Sequence, residues 1–112
     1  PPGKSEAVTD RDSVIAAAGS ARRDLIGKRI SPQLEQIMED RGIYRAVPRE
    51  RSVFVTESLD RYCATIAAPI ISEGDALGLV VFIGTEGEST AGETEYKLAQ
   101  AVAGFLGKHM ES

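Results

Sequence analysis

Two apolar runs with a four-residue link between them stand near the centre of this sequence. They read Ala67-Ala-Pro-Ile-Ile71, then Ser72-Glu-Gly-Asp75, then Ala76-Leu-Gly-Leu-Val-Val-Phe-Ile-Gly84. β-Branched and aromatic residues favour strands, and a short link that contains Gly favours a hairpin turn. The pattern therefore predicts an antiparallel hairpin, and its second strand, the most hydrophobic of the chain, is expected to lie centrally in a sheet.

Further strands are predicted on the N-terminal side of this hairpin. Its first strand extends back to Arg61, and Pro69 is expected to bend or end it because proline lacks a ladder donor. Residues 52–56 are predicted as a strand, followed by a turn at 57–60. Residues 6–10 and 14–19 form two shorter predicted strands around the turn Asp10-Arg-Asp-Ser13, whose aspartates can bond the following backbone.

Three segments carry helical signals. Residues 20–28 are predicted as a short helical connector. Ser31 and Pro32 suit the N-cap and first position of a helix that Gly42 is expected to end. A last helix is expected to begin with a capping box at Thr90-Ala-Gly-Glu93 and to run to about Met110. Its predicted apolar stripe is Leu98, Val102, Phe105, Leu106 and Met110.

These elements predict one domain over residues 1–112, an α+β fold in which helices pack on an antiparallel sheet. The net charge of −4 argues against DNA binding by this stretch, since DNA-binding domains usually carry a basic excess. No apolar run approaches the roughly 20 residues that span a bilayer, so no membrane role is expected. The lone Cys63 cannot form an internal disulfide, which fits the cytoplasmic location that we expect. One Cys and one His cannot assemble a zinc cluster, and no cofactor is predicted.

Residues 67–83 also resemble the strand-turn-strand of GAF and PAS-like sensor domains, with Pro-Ile before a Gly-containing turn and Gly78 before a β-branched run. Further stretches resemble the C-terminal GAF-like domain of the stage V sporulation protein T family, from about Glu6 to Ser112. They are Asp10-Arg-Asp12, Ala18-Gly-Ser20, Lys28-Arg-Ile-Ser31, Thr90-Ala-Gly-Glu-Thr-Glu-Tyr-Lys97 and Ala103-Gly-Phe-Leu-Gly-Lys-His-Met-Glu111.

This resemblance implies a GAF/PAS-like sheet with helices packed on it, in an AbrB-type transcription regulator of spore-forming bacteria. It implies that DNA is bound by an N-terminal domain absent from this sequence, and that this domain senses a small molecule, oligomerises, or both. A helix that pairs with the closing helix in GAF domains is also absent here. We therefore expect a homo-oligomer in which another chain covers the stripe on the C-terminal helix.

Two groups of residues are candidates for a ligand site. Arginines flank the predicted strand 52–56, and guanidinium groups suit bidentate capture of carboxylate or phosphate. Aromatic side chains could line a pocket for a small planar ligand. The arginines are Arg41, Arg45, Arg49 and Arg51, and the aromatics are Tyr44, Phe54 and Tyr62. Of these, the residues predicted to bind a ligand are Arg45, Arg51, Phe54 and Tyr62. A solvated loop and a filled core are the alternatives.

No enzymatic activity is predicted. GAF-type methionine sulfoxide reductases use several cysteines, whereas this chain has only Cys63, which is expected to be a small buried strand residue. Two functions remain open: a regulatory domain that senses a small molecule, and a purely structural dimerisation or tetramerisation module without a ligand.

Overall fold

Five strands form one antiparallel sheet. The computed structural model describes residues 5–85 and 91–110. The strands are β1 (Ser5–Thr9), β2 (Val14–Ala18), β3 (Tyr44–Arg45), β4 (Tyr62–Ser72) and β5 (Asp75–Thr85). Their order across the sheet is β2-β1-β5-β4-β3, so the most hydrophobic strand is central, as the sequence predicts.

The β4–β5 hairpin is the longest pairing in the sheet and confirms the central prediction. Its register runs from Tyr62 opposite Thr85 to Ser72 opposite Asp75. The turn is made by Glu73 and Gly74, with φ of 50° and 85°. Two consecutive positive φ angles are the pattern of a type I′ turn, whose twist matches that of the flanking strands.

Two strand predictions need correction. Strand β4 does not end at Pro69, although its pairing with β5 is irregular at Ile70 and Ile71. It can continue because β3 pairs with β4 only at residues 66 and 67 and leaves that side of Pro69 without a neighbouring strand. Residues 52–56 form no continuous strand, only single bridges to Ile30 and Cys63. The backbone groups of residues 52–56 form hydrogen bonds partly with β4 and partly with Ser31. The edge of the sheet is instead formed by the two-residue strand β3, which the sequence did not predict.

Three helices complete the described fold: α1 (Arg22–Leu25), α2 (Pro32–Asp40) and α3 (Glu93–His109). The Ser31 Oγ accepts a hydrogen bond from the Leu34 N–H at 3.1 Å, as expected of an N-cap. The predicted stop at Gly42 is wrong by one residue, since Arg41 itself takes the left-handed conformation (φ 62°) that ends α2.

The start of α3 also differs from its prediction. Its N-cap is Gly92, and the Glu95 carboxylate accepts a hydrogen bond from the Gly92 N–H at 2.9 Å. Thr90 lies outside the described residues. The capping interaction therefore comes from Glu95, two residues beyond the predicted Glu93, because the helix begins two residues later than expected.

Each face of the sheet has its own core. The first core lies under α1 and α2, and the second lies under α3. The fully buried side chains Leu25, Leu34 and Leu79 belong to the first. The second contains Ile66, Ala68, Ile70 and Val80 from the sheet, with Ala99 and Ala103 from α3. The helices thus cover both faces, which confirms the predicted α+β architecture.

Candidate functional site

Helix α3 meets the sheet through its small residues. Ala99, Ala103 and Gly107, spaced four residues apart, are buried against the sheet. A Cβ placed on Gly107 would lie 2.3 Å from the Ile71 carbonyl oxygen of β4, well inside ordinary contact distance. The helix backbone therefore lies directly on a strand backbone, and its larger apolar side chains are displaced to one flank.

That flank remains exposed. Leu98 is 52% exposed and Phe105 is 60% exposed, while Val102 between them is half-buried. With His109 these residues follow a 4-3-4 spacing, the seam that helices present to partner helices in coiled coils. We call Leu98, Val102, Phe105 and His109 the α3 seam. The predicted stripe is split, since Leu106 and Met110 pack on the second core while Leu98 and Phe105 face solvent.

The two ends of α3 carry opposite charges. Glu93 and Glu95 lie in its first turn, and Lys108 and His109 lie in its last. The His109 ring stacks on Phe105 with 4.1 Å between ring centroids, and its Nδ1 lies 2.9 Å from the Phe105 carbonyl oxygen. The seam therefore runs from an acidic end to a basic end, as the helix dipole favours.

Strand β2, at the edge of the sheet, also exposes apolar residues. Helix α3 packs over β4 and β5, whereas Ala16 and Ala18 of β2 are exposed. Ala16 is paired with Val8, which packs in the second core, so these alanines share the face that α3 covers elsewhere. Nearby on β2, Ile15 is 50% exposed. Strand β1, with the exposed Glu6 opposite Ala18, lies between these residues and the strands under α3.

On the opposite flank of α3, Arg45 connects β3 to the first turn of the helix. Its Nη2 lies 3.1 Å from Glu93 Oε1, and its guanidinium carbon lies 4.2 Å from the centroid of the Tyr96 ring. Its Nε is buried and has no hydrogen-bond partner in the described structure. Arg45, predicted as a ligand residue, is thus placed where it positions α3 on the sheet edge.

Tyr62 lies in the other core. Its hydroxyl donates a 2.6 Å hydrogen bond to Asp24 Oδ2 of α1, and only 7% of the residue is exposed. This hydrogen bond raises the pKa of Tyr62, burial raises it further, and the nearby Arg61 guanidinium opposes the rise. The pKa of Tyr44 is also raised, chiefly by burial.

The four predicted ligand residues are not brought together. Arg45 lies on the α3 side of the sheet, Tyr62 lies in the first core, and Arg51 is exposed in the loop between β3 and β4. Phe54 is half-buried and bridged to Cys63, which is buried in β4 as expected.

A groove that the sequence did not single out lies at the end of the sheet, with a volume of about 530 Å³. Its walls come from the β1–β2 turn, the C-terminal half of α2 and the β4–β5 hairpin. The residues that line it are Arg11, Asp12, Glu35, Met38, Glu39, Arg41, Asp75 and Ala76. Charged residues in turns are common in any sequence, so only the fold shows that these three segments meet.

Comparison with known sequences identifies the family. The family model described as "Stage V sporulation protein T C-terminal, transcription factor" matches residues 2–111. The chain belongs to this family. It is also similar to stage V sporulation protein T of Bacillus subtilis (strain 168), with 34% identity over 110 residues, 97% of this chain and 60% of that protein.

Family membership confirms the sequence-based resemblance and agrees with the prediction that the chain is not an enzyme. A stage V sporulation protein T C-terminal domain is a regulatory domain of a transcription regulator. The chain spans about 60% of the length of the curated relative it matches. Within the described residues, no helix of this domain has the length and apolar character needed to cross a membrane.

Proposed function

We propose that this domain assembles a sporulation-type transcription regulator into a homo-oligomer in the cytoplasm, using the α3 seam and the exposed surface of β2. The observation that carries the proposal is the exposure of Leu98 and Phe105 on one flank of a helix whose other side is closely packed. Exposed apolar side chains grouped in this way on one flank of a helix mark a protein–protein contact.

The size of the hydrophobic gain indicates how far the interface must extend. Fully burying a Leu or Phe side chain contributes roughly 1.5–3 kcal/mol. Leu98 and Phe105 are each about half exposed, so two copies would gain roughly 3–6 kcal/mol from these side chains. Association costs at least about 4 kcal/mol. The seam alone is therefore marginal, and we assign Ile15, Ala16 and Ala18 of β2 to the same interface.

The charges at the two ends of α3 favour an antiparallel pairing of the seams. In that arrangement the first turn of α3 in one copy, with Glu95, lies near the last turn of the other, with Lys108 and His109, while Glu93 stays paired with Arg45. A parallel pairing would instead bring like charges together at both ends. The antiparallel pair is also compatible with a two-fold axis, the commonest symmetry of soluble oligomers.

A two-fold assembly gives this domain a regulatory role without contacting DNA itself. Any DNA-binding domain attached to each copy would be presented in pairs, as paired half-sites require. Contact with DNA is assigned to such an attached domain, in keeping with the net charge of −4 on this chain.

The experiment is a measurement of molar mass by light scattering for the chain and three variants. Leu98→Glu and Phe105→Glu are expected to shift the oligomer to a monomer. Ala101→Glu is the matched control, since it adds the same charge to α3 at an exposed position outside the seam. A fourth variant, Lys108→Glu, tests the antiparallel orientation separately.

A monomeric parent chain would contradict the proposal. So would an oligomer that Leu98→Glu, Phe105→Glu and Ala101→Glu all leave intact, with circular dichroism showing that each variant is folded. For the antiparallel arrangement, Lys108→Glu is expected to weaken association, and added salt should reduce the difference. An equal effect at all salt concentrations would refute that orientation.

A further inference from the structure

The groove at the end of the sheet contains two arginines that are fixed by the same hairpin. Arg11 Nε donates to the Ala76 carbonyl oxygen at 2.9 Å, and Arg41 Nε donates to the Gly74 carbonyl oxygen at 2.9 Å. These carbonyls are two residues apart in the chain, so both guanidinium groups are held by the same short stretch of the hairpin. Both side chains are thus oriented before any ligand arrives.

In the described part of the chain, neither arginine forms an ion pair with a carboxylate. The ion pairs found within residues 5–85 and 91–110 involve Arg29, Arg45 and Arg61 instead, although four carboxylates line the groove. Arg41 Nη1 donates to the Glu39 carbonyl oxygen at 3.1 Å, which fixes the side chain further without neutralising it. The remaining N–H groups are available for an anionic group, which guanidinium binds through paired hydrogen bonds.

The carboxylates limit which anion can enter. Asp12, Glu35, Glu39 and Asp75 outnumber the arginines, and Glu35 alone among them is ion-paired within the described residues, with Arg29 at 3.6 Å. A purely anionic ligand would meet repulsion from these acids, and a purely cationic ligand would meet repulsion from the guanidinium groups. A ligand that carries both charges meets a complementary group at each end.

We propose that this groove binds a small zwitterion, with its carboxylate on Arg11 and Arg41 and its ammonium group among the acids of α2 and the β1–β2 turn. The shared chemistry is that of an α-ammonium and an α-carboxylate, found in free amino acids and in short peptides. Met38 and Ala76 supply the apolar surface against which a side chain can rest.

The inference is independent of the oligomer proposed above. The groove lies between the sheet end and α2, which covers the first core, whereas the α3 seam lies on the opposite face. Variants in the groove leave the α3 seam unchanged, so failure of one proposal is distinguishable from failure of the other.

The test is a titration of the ¹⁵N-labelled chain, followed by amide chemical shifts. The probes are L-alanine, L-leucine and tri-alanine, with acetate and methylammonium as ligands of single charge. We expect saturable shifts confined to residues 11–12, 35–41 and 73–76 with the zwitterions, and weaker binding of acetate and methylammonium. Stronger binding of tri-alanine than of the free amino acids would assign the groove to peptides, and the reverse would assign it to metabolites.

Variants separate recognition from stability. Arg11→Gln is expected to weaken binding at least about tenfold, since a charge-assisted hydrogen bond is lost. Arg41→Asn, whose asparagine tolerates the left-handed conformation, is expected to do the same. Glu39→Gln, at an exposed position, tests the contact with the ammonium group of the ligand. Arg23→Gln removes the same charge from α1, outside the groove, and should bind normally.

The proposal is overturned if no zwitterion produces saturable shifts at millimolar concentrations. It is also overturned if acetate binds as well as alanine, or if Arg23→Gln weakens binding as much as Arg11→Gln. Should Arg11→Gln fail to fold, an unchanged affinity in Glu39→Gln and Arg41→Asn would have the same consequence.

Discussion

Two glycines of α3 lie three residues apart, and replacing each by alanine should change the stability of the domain in opposite directions. Alanine is favoured over glycine in a helix by about 1 kcal/mol. At Gly104 a Cβ would meet nothing within 4 Å, so Gly104→Ala should stabilise the domain by about 0.5–1 kcal/mol. At Gly107 the Cβ would lie 2.3 Å from the Ile71 carbonyl oxygen.

Ordinary Cβ contacts begin at 3.4 Å, so Gly107→Ala requires α3 to move about 1 Å away from β4. Overpacking of this kind typically costs about 1–3 kcal/mol. The cost exceeds the gain in helix propensity, because a strand backbone cannot yield as a flexible side chain does. We expect a net destabilisation of about 1 kcal/mol, and a difference of about 2 kcal/mol between the two variants.

Equilibrium urea unfolding followed by circular dichroism measures this difference. Parent and variants must be compared at one protein concentration, since association stabilises the folded state. A thermal scan should show Gly107→Ala melting below the parent by about 4 °C and Gly104→Ala melting above it. Equal or higher stability of Gly107→Ala would refute the close approach of α3 to β4 on which the exposed seam depends.

Two further substitutions test the other contacts. Tyr62→Phe removes the hydrogen bond to Asp24 and should cost about 1–2 kcal/mol. Because the pKa of Tyr62 is raised in the folded state, its contribution is complete below the unfolded-state pKa of about 10 and is lost as the pH rises beyond it. Urea unfolding from neutral to strongly alkaline pH should therefore show a shallower alkaline decline in Tyr62→Phe, and an unchanged decline would contradict the assignment. Gly78→Ala would place a Cβ 1.8 Å from the Thr9 carbonyl oxygen, so we expect a loss of about 3 kcal/mol and altered amide shifts in β1. A variant as stable as the parent would show that β1 does not cross Gly78 so closely.

The sequence predicted the sheet well because the apolar runs and turn residues are local signals. The β4–β5 hairpin, the β1–β2 hairpin and the two longer helices all follow from such signals. The predicted ends of α2 and α3 were less accurate, since residues one or two positions apart can each supply a cap. Residues 52–56 were mistaken for a strand because their backbone groups are divided between two segments, the start of β4 and Ser31, and so form only single bridges.

The predicted ligand residues lie apart because of a feature of β4 that has no clear signal in the sequence. Strand β4 has a bulge between Ala64 and Ile66, and the alternation of its side chains changes there. Tyr62 and Ala64 therefore point into the first core, while Ile66, paired with Arg45, points into the second. An unbroken alternation would have placed Tyr62 and Ile66 on one face.

The stripe on α3 was predicted as one surface, part of which is exposed as expected, but the structure divides it between the second core and solvent. Large apolar residues usually mark the buried side of a helix, but here Ala99, Ala103 and Gly107 do so. Their four-residue spacing is visible in the sequence and is the signal that could have been used. Small residues on one side allow a close approach, and that approach leaves the larger side chains on the flank.

The arrangement of two cores on opposite faces of the sheet bears on how the domain comes apart. Helix α3 contributes to one core only, so its release would uncover Ile66 and Ile70 while the packing of α1 and α2 remained closed. Helix and sheet would then behave as separate cooperative units with different opening free energies. A signal that loosened Arg45 from the first turn of α3 would thus release this helix, through which we propose that the copies associate, at a cost well below that of global unfolding.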